Sequence, residues 1–138
     1  IESFFKGVYT ICNIKTDEVG TMNNYEKFKK GTMEMLLLKL LSQRDLYGYE
    51  IVQLFKDLSN NIIVISVGNM YPMLYKLEEK GWISSYKKSV GKRMDRIYYH
   101  LTDIGNTELK QMIIDYQTLI DATQNILNYT YDIAEKTC

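Results

Sequence analysis

The feature that most constrains this chain is an apolar stripe near its C-terminal end. Leu109, Met112, Ile113, Tyr116, Leu119, Ile120, Thr123, Ile126 and Leu127 recur at spacings of three and four, which keeps them on one side of an α-helix. The stripe is narrow, and no segment of the chain is left over to cover it. A seam of this kind is best satisfied by the same helix of a second copy. The expectation is a homodimer formed through residues 102–138, with Thr102 capping the helix start.

Three helical patterns precede the stripe. Met33, Leu36, Leu37, Leu40 and Leu41 mark the first, which Thr32 is placed to cap. Ile51, Leu54, Phe55 and Leu58 mark the second, closed by Ser59-Asn60-Asn61. The third starts at Ser66, carries Met70, Met73, Leu74 and Leu77 on its apolar face, and stops at Gly81. Pro72 falls in its second turn, so a distorted first turn is expected, with Gly68 supplying slack four residues back. Trp82–Lys87 and Arg96–Leu101 then read as short strands, the second alternating Ile97, Tyr99 and Leu101 with Arg96, Tyr98 and His100. Lys88–Asp95, which contains Gly91, is an exposed connection between them. The fold class is therefore mainly α with a small β-hairpin: a winged helix-turn-helix followed by a long C-terminal dimerisation helix.

Composition agrees with one globular domain. In 138 residues the hydrophobic share is 46% and the charged share 25%, close to globular averages and sufficient for a buried core. The longest apolar stretches, Met35–Leu38 and Ile62–Ile65, fall far short of the roughly 18 residues of a membrane span. Cys12 and Cys138 lie near opposite ends, which suits a reducing, cytoplasmic setting better than a disulfide framework. Residues 1–21 read as a leader ahead of Met22 and are left out of the fold expectation.

The net charge is zero, yet the charge is segregated. Residues 67–101 hold seven basic and three acidic side chains, whereas residues 102–138 hold two basic and six acidic. A basic middle and an acidic tail fit a face turned toward nucleic acid and one turned away.

Specific residues point the same way. Met70-Tyr71-Pro72-Met73-Leu74-Tyr75-Lys76-Leu77-Glu78-Glu79-Lys80-Gly81-Trp82-Ile83 resembles the recognition-helix signature of the PadR (phenolic acid decarboxylase regulator) family. Arg96-Ile97-Tyr98-Tyr99-His100-Leu101-Thr102-Asp103-Ile104-Gly105 is similar to that family's second wing strand and the start of its last helix. Lys30-Gly31-Thr32-Met33-Glu34 and Leu46-Tyr47-Gly48-Tyr49-Glu50-Ile51 match its first two helices, so the resemblance covers roughly residues 30–105. With one C-terminal helix, the chain is similar to the short-tailed members. The resemblance implies a homodimeric winged-helix regulator, usually a repressor, often released by a small aromatic or drug-like effector. Residues 22–101 would form the DNA-binding domain and residues 102–138 the dimerisation helix and tail.

The side-chain chemistry assigns roles within that frame. On the third helix the candidate DNA contacts are Ser66, Gly68, Asn69, Tyr71 and Lys76. Asn69 suits an adenine edge, Tyr71 and Lys76 suit phosphate or sugar, and Gly68 allows close backbone approach. The alternative for Tyr71 is packing against the wing. On the wing the candidates are Lys87, Lys88, Lys92, Arg93 and Arg96, flexible cations suited to the phosphate backbone or minor groove. The alternative for Arg96 is pairing with a carboxylate. The partner would be a roughly palindromic double-stranded operator. Tyr116, an aromatic amid an aliphatic seam, is the candidate effector contact at the dimer centre, with plain core packing as its alternative; Trp82 is expected to pack under the wing.

Catalysis and cofactors find no support. His100 is the single histidine and has no cysteine or carboxylate cluster at metal-ligand spacing; no Gly-rich phosphate loop or Ser-His-Asp arrangement occurs. Two other readings stay open. An architectural DNA-binding protein of replication-terminator-like or plasmid-partition type would use the same fold without an effector. A protein-interaction module would lack the basic wing.

Overall fold

The computed structural model describes residues 24–92 and 94–132. The leader segment 1–21, both cysteines, Arg93 and the final residues of the tail lie outside the described residues. Among the described residues five helices and three short strands follow in the order α1 (Asn24–Lys29), α2 (Met33–Leu41), β1 (Leu46–Tyr47), α3 (Gly48–Leu58), α4 (Val67–Glu79), β2 (Ile83–Ser89), β3 (Asp95–Leu101) and α5 (Asp103–Leu127). The three helices, the hairpin and the long helix stand in the expected order, giving a mainly helical winged fold.

Several local signals act as the sequence implies. Ser66 Oγ accepts from the Asn69 amide at 3.3 Å and starts α4. At its far end Gly81 takes φ +76°, and the amides of Gly81 and Trp82 bond back to the carbonyls of Glu78 and Leu77 at 3.0 and 3.1 Å. That double closure ends the helix and needs a residue free to enter the left-handed region. Between these ends α4 runs through Pro72 as one helix. A Cβ at Gly68 would meet no atom within 4 Å, so packing inside the subunit does not demand glycine there.

Three details differ from expectation. First, the sheet has three strands in the order β1-β3-β2, because Leu46 and Tyr47 pair with Tyr99 and Tyr98 of the wing. Leu46 is fully buried, so a two-residue strand serves as an anchor between the wing and the α2–α3 connection. Second, α1 precedes the first expected helix and buries none of its residues. Third, Thr32 does not cap α2 with its side chain; its hydroxyl donates to the Lys29 carbonyl at 2.8 Å and closes α1 instead.

The core joins Leu37, Leu38, Leu41, Leu46, Ile51, Phe55, Met70, Leu74, Leu77, Ile83 and Tyr99. On the opposite sheet face, Asp45 accepts from Tyr86 Oη at 2.7 Å and lies 2.7 Å from His100 Nδ1. Burial pushes the Asp45 carboxyl up. The hydrogen bonds from Tyr86 and His100, together with the His100 charge, outweigh that and hold it below the usual aspartate range. His100, alone in the sequence, therefore has a partner that only the fold supplies.

The long helix meets the wing at one crowded joint. Thr102 Oγ1 accepts from the Gly105 amide at 3.1 Å and donates toward the carbonyls of Gly81 and Trp82 at 2.6 and 3.0 Å. The Thr102 amide also bonds the Trp82 carbonyl, at 3.1 Å. A Cβ on Gly105 would run into that carbonyl and into Leu101, so the first turn of α5 lies against the wing only with glycine there. We expect Gly105→Ala to destabilise the subunit by about 1–3 kcal/mol through overpacking against backbone. Urea unfolding checks this; an unchanged midpoint would show that the joint relaxes freely.

Candidate nucleic-acid interface

Helix α4 sets the geometry of the candidate surface. Met70, Leu74 and Leu77 face the core, which leaves Gly68, Tyr71, Pro72, Tyr75 and Glu79 exposed. Ser66 is exposed as well, its hydroxyl oxygen accepting the cap bond. Asn69 lies on the flank toward α1, in a cavity it shares with Lys29, Lys30 and Val64. Lys76 lies on that flank too, its ammonium 3.0 Å from Glu34 of α2. Its place in the sequence suits a phosphate contact; the fold gives it a carboxylate partner.

Tyr71 turns to the other side. A methyl group at Gly48 would meet its hydroxyl at 2.9 Å and the Met70 methyl at 3.0 Å. Together with Tyr47, Tyr49, Met94, Arg96, Ile97 and Tyr99 it lines a cavity of about 520 Å³ between α4, the start of α3 and the wing. Both readings of Tyr71 are thus compatible with its position: it borders the wing and it is half exposed. Tyr99 is only 7% exposed. Burial, then Tyr71 and Glu78, push its hydroxyl's pKa up, so it remains a neutral donor beside this crevice.

The wing presents two chemically different faces. Cα pairing sets Lys87 opposite Ile97 and Lys88 opposite Arg96. Because side chains alternate, Lys87 shares the helix-facing side with Ile83, Tyr99 and Leu101, while Lys88 and Arg96 share the outer side with Tyr86 and Tyr98. The outer cations lie over aromatic rings: Arg96 is 4.4 Å from the Tyr47 centroid and Lys88 is 5.4 Å from that of Tyr98. Tyr86 and Tyr98 stack at 5.8 Å. Arg96, for which pairing with a carboxylate was the alternative, rests on a ring instead. Lys92 is exposed in the turn beside Gly91, whose φ of +81° requires glycine-like freedom. Among the described residues, Lys87, Lys88, Lys92 and Arg96 have no carboxylate within ion-pair distance. Like charges placed directly opposite each other disfavour a sheet, and the ring faces offset this at Lys88 and Arg96.

The apolar seam of α5 divides in two. Leu109 is 3% exposed in the subunit's own core, and Met112, half-buried, packs against that core. The first turns of α5 lie on α2 along this side, while Ile104 on another side is exposed. From Ile113 onward the seam is largely uncovered among the described residues. Ile113, Tyr116, Leu119, Thr123, Ile126 and Leu127 are exposed, with Leu119 at 63% and Ile126 at 76%, and Ile120 is half-buried. Tyr116 borders a shallow cavity of about 170 Å³ with Tyr25, Phe28, Ile62 and Ile63. Trp82 is half-buried at the base of the wing, as expected.

Two exposed aromatics on the candidate face are not singled out by the sequence. Tyr75 lies one helical turn beyond Tyr71, and Tyr49 lies at the start of α3 beside Tyr71. The i+4 spacing from Tyr71 was the available signal for Tyr75; Tyr49 had none, since only folding brings α3 beside α4. Among the described residues no helix is long and apolar enough to cross a membrane, and no group of histidines, cysteines and carboxylates could hold a metal ion.

Known proteins resemble this chain in sequence and in architecture. The model of the transcriptional regulator PadR-like family matches residues 37–111. An uncharacterised protein X from Lysinibacillus sphaericus is 30% identical over 87 residues, which is 63% of this chain and 80% of that protein. The negative transcriptional regulator PadR of Bacillus subtilis is 28% identical over 93 residues, 67% of this chain, and the match spans only 51% of that longer protein. A PadR-family transcriptional regulator from Eggerthella lenta superimposes with a TM-score of 0.70 over 94% of this chain and 100% of its own, a likeness of fold at 24% identity. With more than half of its length matched by the family model, the chain belongs to the PadR-like family of transcriptional regulators.

Proposed function

We propose that the chain acts as a homodimeric repressor that occupies a roughly palindromic double-stranded operator, and that a small aromatic effector releases it. The observation that carries the DNA reading is the wing. Among the described residues its cations Lys87, Lys88, Lys92 and Arg96 lack carboxylate partners, and Arg96 borders the same cavity as Tyr71 of α4. Unpaired cations on a protruding hairpin gain most from displacing the counterions of a phosphate backbone. Asn69 and Tyr71 near the N-terminal end of α4 are suited to base edges and sugar–phosphate, respectively. Tyr49 and Tyr99 border the crevice where a backbone strand passing from α4 to the wing would lie. Ser66 and Gly68 supply exposed backbone at the same end, and Arg93 extends the basic run in sequence.

The dimer follows from the outer half of α5. Ile113, Tyr116, Leu119, Ile120, Thr123, Ile126 and Leu127 leave a stripe that a second copy covers symmetrically, which also duplicates α4 for two half-sites. In one subunit the cavity at Tyr116 is smaller than the roughly 300 Å³ at which ligand pockets begin. An aromatic effector would therefore need walls from both copies, and it must prefer the spacing of the two α4 helices that does not fit DNA. A reducing, cytoplasmic location fits this role.

Each part has its own test. Leu119→Asp places a charge on a surface that is exposed in the subunit, so the variant should stay folded by circular dichroism and sediment as a monomer. A wild-type chain that is monomeric at micromolar concentration would remove the dimer. For DNA, Lys87→Ala with Lys92→Ala should weaken binding to every duplex alike and flatten the plot of log affinity against log salt by roughly 0.9 for each phosphate no longer neutralised. An unchanged slope would take the wing out of the interface. For the effector, planar phenolic acids and planar cations are titrated into the protein–DNA complex while DNA release and Trp82 fluorescence are followed. Release is expected with wild type and not with Tyr116→Ala; binding without release would discard the regulatory role.

A further inference from the structure

Helix α4 and the residue that caps its C-terminal end carry two lysines, Lys76 and Lys80, on the flank facing α2, and one carboxylate meets both. Glu34, in the first turn of α2, holds Lys76 Nζ at 3.0 Å on one oxygen and Lys80 Nζ at 3.5 Å on the other. The Glu34 side chain is 25% exposed, against 61% for Lys76. Lys80 is held from a second side by the Trp82 ring, 4.3 Å away. The two lysines are four residues apart on one helix and repel each other, so a carboxylate bridging both is well placed to keep them. The wing contrasts with this: among the described residues, the hairpin cations Lys87, Lys88, Lys92 and Arg96 have no carboxylate partner.

We propose that Glu34 is a specificity-determining residue. By pairing with Lys76 and Lys80 it cancels one of their two charges and occupies both ammonium groups, which lowers sequence-independent attraction at the helix that reads bases and leaves most of that attraction to the wing. The inference rests on the DNA-binding reading given above. Its physical basis is that a cation released toward phosphate strengthens binding to all sequences equally. The gap between an operator and the excess of competing sites is set by base contacts and DNA shape, not by phosphate contacts. Lys76 is next along α4 from exposed Tyr75, so its ammonium, once freed, can swing from Glu34 to a backbone running beside the helix.

The role is distinguishable from a purely structural tie between α2 and α4, because it calls for a gain of binding that unfolding cannot produce. Glu34→Gln keeps the shape and removes the charge. Binding to a mixed-sequence duplex of roughly 30 base pairs, long enough for two half-sites about one helical turn apart, is followed by fluorescence anisotropy at several salt concentrations. The expected result is affinity several-fold tighter at low salt, with a slope steeper by roughly one to two units per subunit, near 0.9 for each freed lysine that reaches a phosphate. Adding Lys76→Gln and Lys80→Gln to Glu34→Gln should abolish the added slope. A Glu34→Gln slope that is unchanged or flatter overturns the proposal, as does a gain that survives the triple substitution. A wild-type protein without salt-dependent duplex binding would instead overturn the DNA-binding reading, and this inference with it.

Discussion

The carbonyl of Trp82 is the point on which the relative placement of the functional elements depends. It receives the amide and the hydroxyl of Thr102, and Gly105 lies so close over it that no side chain fits between. Three elements converge there. Helix α4 has just ended at Glu79, the wing begins at Ile83 and returns at Leu101, and α5 starts at Asp103. The candidate reading helix, the hairpin and the long helix are thus held to one another by backbone polar groups in contact, which tolerate little displacement. In a dimer built on α5, any rotation of that helix would be passed through this joint to α4.

Electrostatics divides the surface by partner and not by sign alone. Glu34, Glu50 and Glu26 hold Lys76 and Lys80, Arg44, and Lys29. On the wing, ring faces take the place of carboxylates, with Arg96 over Tyr47 and Lys88 over Tyr98. A ring steadies a cation without cancelling its charge. The hairpin therefore keeps its positive field, while on the α2 flank of the helix beside it Glu34 cancels part of the lysine charge. Asp45, buried in part behind the wing, directs its charge to His100 and Tyr86 and leaves the outer cations untouched.

The long helix has two kinds of neighbour along its length. Its first turns complete the subunit core through Leu109 and Met112 and lie on α2. Beyond them Leu119, Ile126 and Leu127 have no cover among the described residues. One stripe of apolar residues thus reads as continuous in sequence although its two halves face different partners. Hydrophobic burial has no direction of its own, so the pattern alone does not say which contacts are internal.

What the sequence determined by itself was whatever local geometry and short-range hydrogen bonding decide. Ser66 and Thr102 each bond an amide three residues on, and Gly81 supplies a positive φ, so the limits of α4 and the start of α5 were legible. The same is true of Tyr99 facing inward while Tyr98 faces out, because strand alternation is a property of the backbone. Tertiary structure decided the rest. Helix α1 buries nothing, and without a buried face it has no periodicity to read. Strand β1 is two residues long, too short for alternation, and exists because Leu46 and Tyr47 find Tyr99 and Tyr98 some fifty residues away. The pairings of Glu34 with Lys76 and Lys80, of Arg96 with Tyr47, and of His100 with Asp45 join residues distant in sequence. Long charged side chains have many possible partners at comparable energies, and only the packing of the apolar core chooses which of them are within reach.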